Sequence, residues 1–587
     1  MCSNCLSLMR LSLFLVSTLI IANPCKAQRA LIEPEEATIR NKSVLKTARD
    51  FMISTSSPEA SEAGLEILKE GGSAIDAAIT AQLVLGLVEP QSSGLGGGAF
   101  LIHWHRDKQE LKAFDGRETA PNASKSDRFL INENPIPFSF VMRSGLSVGT
   151  PGIIQLMWET HQAFGKLPWK RLFDPAIHLA NIGFKVSERL HLLLLSVGKE
   201  VFNEKGQSYF FDDNGQPHYT GYHLKNPEYA STLQEIAELG PKGFYSGQVS
   251  QAIIKAIENA PNIHGDLSSN DLMKYKIETR LPFCTQYRKY KICSMPPPSS
   301  GGIAISQILQ MLQNYDLGSL PKDALNAQAL HLIVEAEKLA YSDRNHYVAD
   351  PQFIKIPSEL ADPKYLSNRQ KLIDTKKSMI TPMPGIVSQS DSFFYGRDAT
   401  FESAGTSQIS IIDNDGNAVS MTTTIEGAFG SGIMTSGFLL NNELTDFSFS
   451  STDMEGKVIA NRLEAGKRPR SSMSPTLVFD SNNNLRMVLG SPGGSRIIFY
   501  VIKALVALID WKLNPYQAAA LLNFGSMGGP LELEYSWDTV LIGLKLKRFG
   551  HEITSDFMNS GLNILQVREG FIEGASDPRR LGAALGE

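Results

Sequence analysis

Two periods of hydrophobic and polar alternation run along this chain, and the change from one to the other marks its organisation. Apolar residues recur at helical spacing over Ala60–Lys69 and Ala74–Val88, interrupted by Gly71-Gly72, which predicts a broken pair of helices. Gly94-Leu-Gly-Gly-Gly98 then leads into a predicted strand, Ala99–His105, and a second strand ends near Asp115-Gly-Arg-Glu118. Residues from roughly 150 to 260 read as mostly helical. Ser299-Ser-Gly-Gly302 opens a helix over Ile303–Leu312, and Ala327–Tyr341 predicts a longer one. Between about 345 and 405 the periodicity fades.

From Thr406 onward the period is that of strands. Asp413-Asn414-Asp415-Gly416-Asn417 is strong turn chemistry between two alternating runs, which predicts a β-hairpin. A turn centred on Asp415 pairs Ile412 with Ala418 and Thr406 with Thr424. One face then carries Thr406, Gln408, Ser410, Ser420, Thr422 and Thr424, and the other Ile409, Ile411, Val419, Met421 and Ile425. A second hairpin is predicted from Thr476–Phe479 and Arg486–Leu489 around Ser481-Asn-Asn-Asn484, and Ser491-Pro-Gly-Gly-Ser495 enters an apolar helix over Arg496–Ile509. Strand-rich portions flanked by helices predict an α/β fold, a stacked sandwich.

Thr406 follows Gly405 and the irregular stretch directly. A cut at that bond leaves one residue with both a hydroxyl and a free amine, the equipment of a self-activating nucleophile. The hydroxyl-rich face alone is equally the mark of an ordinary half-buried hairpin, because threonine suits strands for steric reasons.

The chain has 587 residues, 42% hydrophobic and 20% charged, which fits a soluble globular protein with two lobes or one large, elaborated domain. A formal charge of −5 and the lack of a basic run interleaved with aromatics argue against a nucleic-acid partner. Arg10 precedes an apolar run, Leu11–Ala22, and then Asn23-Pro24-Cys25-Lys26-Ala27, the layout of a secretory signal cleaved after Ala27. The mature protein is expected to be exported, periplasmic or secreted, without a stable membrane anchor; a retained, uncleaved anchor is the alternative.

Removing residues 1–27 leaves two cysteines, Cys284 and Cys293. A two-residue turn at Arg288-Lys289 places them opposite each other across a hairpin, which leaves a disulfide and two packed thiols both open. With no Cys-x-x-Cys beyond residue 27 and no His-Glu-x-x-His, no metal site is expected. Gly94-x-Gly96-x-x-Ala99 matches a dinucleotide fingerprint in letters only, since a helix precedes it and a strand follows, and no cofactor is expected. Ser196-Val-Gly-Lys199 has acyl-enzyme spacing without its companion motifs.

Asp115-Gly-Arg117-Glu-Thr-Ala-Pro121, the Thr406 hairpin, Leu440-Asn-Asn-Glu443-Leu-Thr-Asp446-Phe-Ser448, Lys467-Arg-Pro-Arg-Ser471-Ser472-Met-Ser-Pro475 and Gly490-Ser-Pro-Gly493-Gly494-Ser-Arg496 together resemble the γ-glutamyltranspeptidases. Gly71–Ala78, Ser294–Gly302 and Asp577-Pro-Arg-Arg580 extend the likeness over nearly the whole mature chain. The resemblance implies the αββα sandwich of N-terminal-nucleophile hydrolases, with autocleavage between Gly405 and Thr406. It implies a large subunit (28–405) and a small one (406–587), interlocked as a heterodimer. The expected donors are glutathione and other γ-glutamyl compounds, and the acceptors water, amino acids or dipeptides.

In that scheme Arg117, Ser471 and Ser472 hold the donor α-carboxylate, and Glu443 and Asp446 hold its ammonium. Glu426, where many members carry asparagine, is expected near that ammonium or the Thr406 amine. Thr406 is the nucleophile and its own α-amine the base, Thr424 orients its hydroxyl, and the N–H groups of Gly493 and Gly494 receive the oxyanion. The stretch 447–466 lacks an evident aromatic gate, which implies an open cleft. Two alternatives remain at this point: a glutaryl-cephalosporin acylase, and an exported amino-acid- or peptide-binding protein that would need no self-cleavage.

Overall fold

The structure is a computed structural model that describes residues 43–387, 395–400, 402 and 405–587. The expected signal segment, residues 1–27, lies outside the described residues. Two seven-stranded sheets, every neighbouring pair antiparallel, stack face to face. In one the order is Ala583–Gly586, Met52–Thr55, Gly405–Ile412, Ala418–Glu426, Gly98–His105, Glu110–Gly116, Glu278–Arg280. In the other it is Lys46–Ala48, Phe571–Ser576, Asn563–Arg568, Leu485–Gly490, Thr476–Phe479, Tyr290–Ser294, Phe283–Tyr287.

Helices cover both outer faces. Pro58–Lys69 and Ala74–Val88 share a core with Ile409, Ile411, Val419, Met421 and Ile425, the apolar face of the Thr406 hairpin. Gly301–Leu312, Ala327–Tyr347 and Ile497–Ile509 do the same for Leu477, Val488 and Leu489 of the second sheet. The second member of the first pair starts on a capping box, Ser73 with Asp76, which satisfies otherwise orphaned backbone donors after the Gly71-Gly72 break.

The hairpin registers follow the turn chemistry: Thr406 pairs with Thr424, Ile412 with Ala418, and Cys284 with Cys293. The two cysteines are joined by a disulfide, with Cα atoms 4.1 Å apart. What alternation does not foretell is where the hydroxyl-rich face goes. It fills the space between the sheets: Ser410 donates to the Asn563 carbonyl at 2.9 Å, Ser420 to that of Leu489 at 2.9 Å, and Thr422 to Gln408 Oε1 at 2.7 Å. These three hydroxyls are each hydrogen-bonded, which is why a polar interior is tolerated there.

Candidate active site

Thr406 sits near the start of a central strand, 3% exposed. Its hydroxyl donates to Thr424 Oγ1 at 3.4 Å, and the Thr424 hydroxyl donates to the Gly405 carbonyl oxygen at 2.5 Å. A Cβ on Gly405 would lie 2.4 Å from the Glu426 carbonyl oxygen, so only glycine allows this closeness of the two strands. Thr424 Oγ1 also accepts the Glu426 N–H at 2.8 Å, and Glu426 itself has φ +74°. That left-handed backbone at a non-glycine residue turns the chain from the strand toward the acidic cluster.

The cluster comprises Glu426, Glu443 and Asp446, all buried, whose ligand oxygens lie within 4.8 Å of one another. Arg117 lies among them. It pairs with Glu443, bonds Asp446 Oδ2 at 2.5 Å, and donates to the carbonyls of Pro469 at 3.3 Å and Arg470 at 2.9 Å. In the uncut chain this guanidinium is therefore engaged with the two residues assigned to the ammonium. Burial pushes the Asp446 carboxyl up to about 6 against the pull of Arg117. Burial and the neighbouring Asp446 raise Glu426 as well. Three carboxyl groups beside one guanidinium leave the pocket with more acid than base.

Beyond the acids lies a second charged group. Ser472 donates to Glu402 Oε2 at 2.6 Å and accepts from Arg344 Nη2 at 2.7 Å; Arg344 also pairs with Glu402, and Arg470 Nε reaches the same carboxylate at 3.4 Å. Burial alone would raise the Glu402 carboxyl, but Arg344 and Arg470 bring it down to about 2. The Ser471 carbonyl accepts from Ser300 N at 2.7 Å, and its hydroxyl accepts the Met473 N–H at 3.2 Å.

The Ser491–Gly494 loop leaves the second sheet at the same end. Gly490 abuts Gln408, Pro492 abuts Gly561, and Arg580, beside Gly561, donates to the Thr406 carbonyl at 3.1 Å. Gly493 and Gly494 have φ of +139° and +52° and open a single 3-10 turn before the helix Ile497–Ile509. Of the two aromatics in the 447–466 stretch, Phe447 is buried and Phe449 packs on Phe129 and Phe138 at 4.5 and 5.8 Å between ring centres.

Of the residues picked from the sequence, Thr406, Thr424, Gly405, Glu426, Glu443, Asp446, Arg117, Ser471 and Ser472 converge, and the Gly493-Gly494 loop flanks them. Cys284 and Cys293 lie on an edge of the second sheet, in a separate structural role. Three residues escaped sequence reasoning. Glu118 is buried, with no hydrogen-bond partner for either carboxylate oxygen among the described residues, and burial pushes it up to about 8. A Cβ on Gly98, the cross-strand partner of Thr424, would meet that carboxylate at 2.6 Å; its adjacency to Arg117 was the available signal. Arg344 and Glu402 had none, because only the fold brings them to Ser472. A further cluster, His331, Glu335 and His551, has ligand atoms within 4.8 Å of one another, and the Lys338 ammonium bonds Glu335 there at 2.9 Å.

Two antiparallel sheets between helical layers, with a threonine near the start of a central strand, define the N-terminal-nucleophile hydrolase fold. The model of the family described as gamma-glutamyltranspeptidase matches residues 60–587. The glutathione hydrolase proenzyme of Escherichia coli (strain K12) is 35% identical over 545 residues, covering 91% of this chain and 91% of its own. Among solved structures, the cephalosporin acylase from Bacillus halodurans superposes with a TM-score of 0.81 at 26% identity, over 93% of this chain and 97% of that one. Helicobacter pylori gamma-glutamyltranspeptidase superposes with 0.54 at 33% identity, over 57% and 96%. The chain belongs to the gamma-glutamyltranspeptidase family, and it is an enzyme of that family.

Proposed function

We propose that this chain is an exported proenzyme that cuts itself between Gly405 and Thr406 and then transfers or hydrolyses γ-glutamyl groups. The observation that carries the reading is the line of atoms from Thr406 Oγ1 through Thr424 Oγ1 to the Gly405 oxygen, lying beside a buried, acid-rich pocket. Thr406 Oγ attacks the Gly405 carbonyl carbon, the C–N bond breaks, and the proton from Oγ ends on the nitrogen of Thr406. Water then hydrolyses the ester, leaving a carboxylate on Gly405 and a free amine and hydroxyl on Thr406. The Thr424 hydroxyl polarises the carbonyl under attack.

In the cut enzyme the freed amine, with an ordinary pKa of about 7.7–8.0, takes the Oγ proton as Thr406 attacks the donor γ-carbonyl. Gly493 and Gly494 N–H groups face the oxyanion at the start of a helix. The amine of the leaving fragment departs with that proton, and water or an amino-acid or dipeptide amine releases the γ-glutamyl group. Glu426, Glu443 and Asp446 receive the donor ammonium; Arg117, Ser471 and Ser472 lie toward its α-carboxylate. Glutathione, which the relative from Escherichia coli is named for hydrolysing, has this γ-glutamyl end. Tucking Phe449 against Phe129 and Phe138 fits a cleft without an aromatic gate. No helix among the described residues is long and apolar enough to cross a membrane, which is compatible with export as a free protein.

A glutaryl-cephalosporin acylase is the second reading, favoured by the likeness to the Bacillus halodurans enzyme. A glutaryl group brings no ammonium to three buried carboxyls, so the γ-glutamyl reading stands first. The test is a denaturing gel with N-terminal sequencing of the smaller fragment, followed by turnover of γ-glutamyl against glutaryl chromogenic amides. A fragment beginning at Thr406 and preference for the γ-glutamyl amide are expected; one intact, inactive chain removes the proposal.

A further inference from the structure

Glu402 lies four residues before Thr406, on the side of the cut that becomes a free chain end. Its carboxylate is 6% exposed and meets three partners at once: the Ser472 hydroxyl at 2.6 Å, Arg344, and Arg470 at 3.4 Å. Both arginines are buried, 4% and 1% exposed, and neither can lose its counter-charge cheaply. Arg470 has a second anion, Asp398, at 2.9 Å. Asp398 is anchored independently by Asn461 at 3.0 Å, by Thr400 and by the Asn345 carbonyl. Two guanidiniums thus face two carboxylates, of which only Glu402 sits close to the bond that breaks.

This arrangement adjoins the acidic cluster. The same Asn461 amide that holds Asp398 donates to the Asp446 carbonyl at 2.7 Å, and the Arg470 carbonyl accepts from Arg117 at 2.9 Å. A cationic seat and an anionic seat therefore stand side by side, the two charges required by a molecule that carries an ammonium and a carboxylate on one carbon.

We propose that Glu402 is an internal ligand: in the uncut chain it fills a carboxylate seat built by Ser472, Arg344 and Arg470, and the α-carboxylate of a γ-glutamyl donor takes that seat once cleavage frees the segment. The assignment rests on the γ-glutamyl reading and adds Arg344 and Arg470 to the residues that recognise the donor. After scission Glu402 stands three residues from a new chain end, and its departure leaves one buried positive charge in excess. An anion of single charge restores the balance. One break in the backbone thus exposes the nucleophile's amine and opens the donor seat, so the precursor cannot hold substrate before it can use it.

The experiment measures binding of L-glutamine, a minimal γ-glutamyl amide, by calorimetry to chains kept uncut by Thr406→Ala. Thr406→Ala/Glu402→Ala should bind it at least about ten-fold more tightly than Thr406→Ala alone, as expected for release of one competing charged contact. Thr406→Ala/Glu402→Gln, which keeps the size of the side chain, should fall between them, and adding Arg470→Leu should erase the gain. Equal affinity in all of these chains, at unchanged melting temperature, overturns the assignment. The γ-glutamyl reading is tested separately by self-cleavage and turnover of the native chain: if the native chain does both while the affinities are equal, only the internal-ligand proposal fails.

Discussion

The Thr424 hydroxyl donates to the carbonyl oxygen of Gly405 at 2.5 Å, while it stands 3.4 Å from the hydroxyl of Thr406 across the same pair of strands. One side chain thereby touches both the bond proposed to be cut and the group proposed to cut it. Thr406→Ala removes the nucleophile and should abolish both cleavage and turnover. Thr424→Val keeps the shape and removes the donor, and processing should slow by about 100-fold or more, the scale for loss of one oxyanion-type donor. The rate at which the full-length band disappears on a gel reads both variants. A mature, active Thr406→Ala protein would end the mechanism.

Arg117 is 1% exposed and holds Glu443 and Asp446 together with two backbone carbonyls. Arg117→Ala should therefore cost stability as well as donor affinity, by about 3–5 kcal/mol, because three buried carboxyls lose their cation. Denaturant midpoints and donor KM measured on the same variant separate the two effects. A loss of donor affinity with no change in the midpoint would show that the guanidinium is released from the acids.

Donor binding should weaken on the acid side of neutrality. Burial raises the Asp446 carboxyl to about 6, so it gains a proton as pH falls through that value and ceases to attract the donor ammonium. The KM for a γ-glutamyl amide should rise several-fold between pH 7 and pH 5, whereas Asp446→Asn should have a high and flat KM. A flat profile in the native enzyme would remove Asp446 from the ammonium site.

Acid should also loosen the fold through His551. Its imidazole is buried against His331 at 2.8 Å and Ser378 at 3.1 Å, with Lys338 and Glu335 beside them, and burial, Lys338 and His331 push it down to about 3 from 6.5. The unfolded chain takes up that proton first. The stability His551 contributes is thus complete above about 6.5 and is lost as pH falls from there toward about 3. Asp446 acts with the opposite sign: its raised carboxyl favours the folded chain at low pH, and this is lost as pH rises through about 6. Between pH 7 and pH 4 the His551→Gln variant should therefore lose less melting temperature, or gain more, than the native chain. An unchanged slope would show that His551 takes up its proton as readily in the folded protein as in the unfolded chain.

The legible parts of this protein were local ones. Turn chemistry at Asp413–Asn417 set the Thr406–Thr424 register, because hairpin pairing follows from loop length and the two-residue period of strands. Arg117, Glu443, Asp446, Ser471 and Ser472 were picked through the motifs that carry the family likeness, each legible within its own short segment. The disposition of the hydroxyl face was not legible, because alternation states which residues share a face and not what that face meets. Nor was the pairing of Arg117 with Glu443 and Asp446, which depends on three segments meeting in a buried place.

The amino-acid sequence by itself determined the elements, the hairpin registers, the family, and the threonine that follows the glycine. The elements and registers rest on spacing, propensity and turn geometry, which act over a few residues, and the family on the likeness of its motifs. Only the tertiary structure decided that Asn563 and Leu489 cap the hydroxyls between the sheets, and that Arg344, Arg470 and Glu402 gather at Ser472. Charges separated by tens of residues along the chain meet only when packing brings their elements together, and their burial then forces each to find a partner.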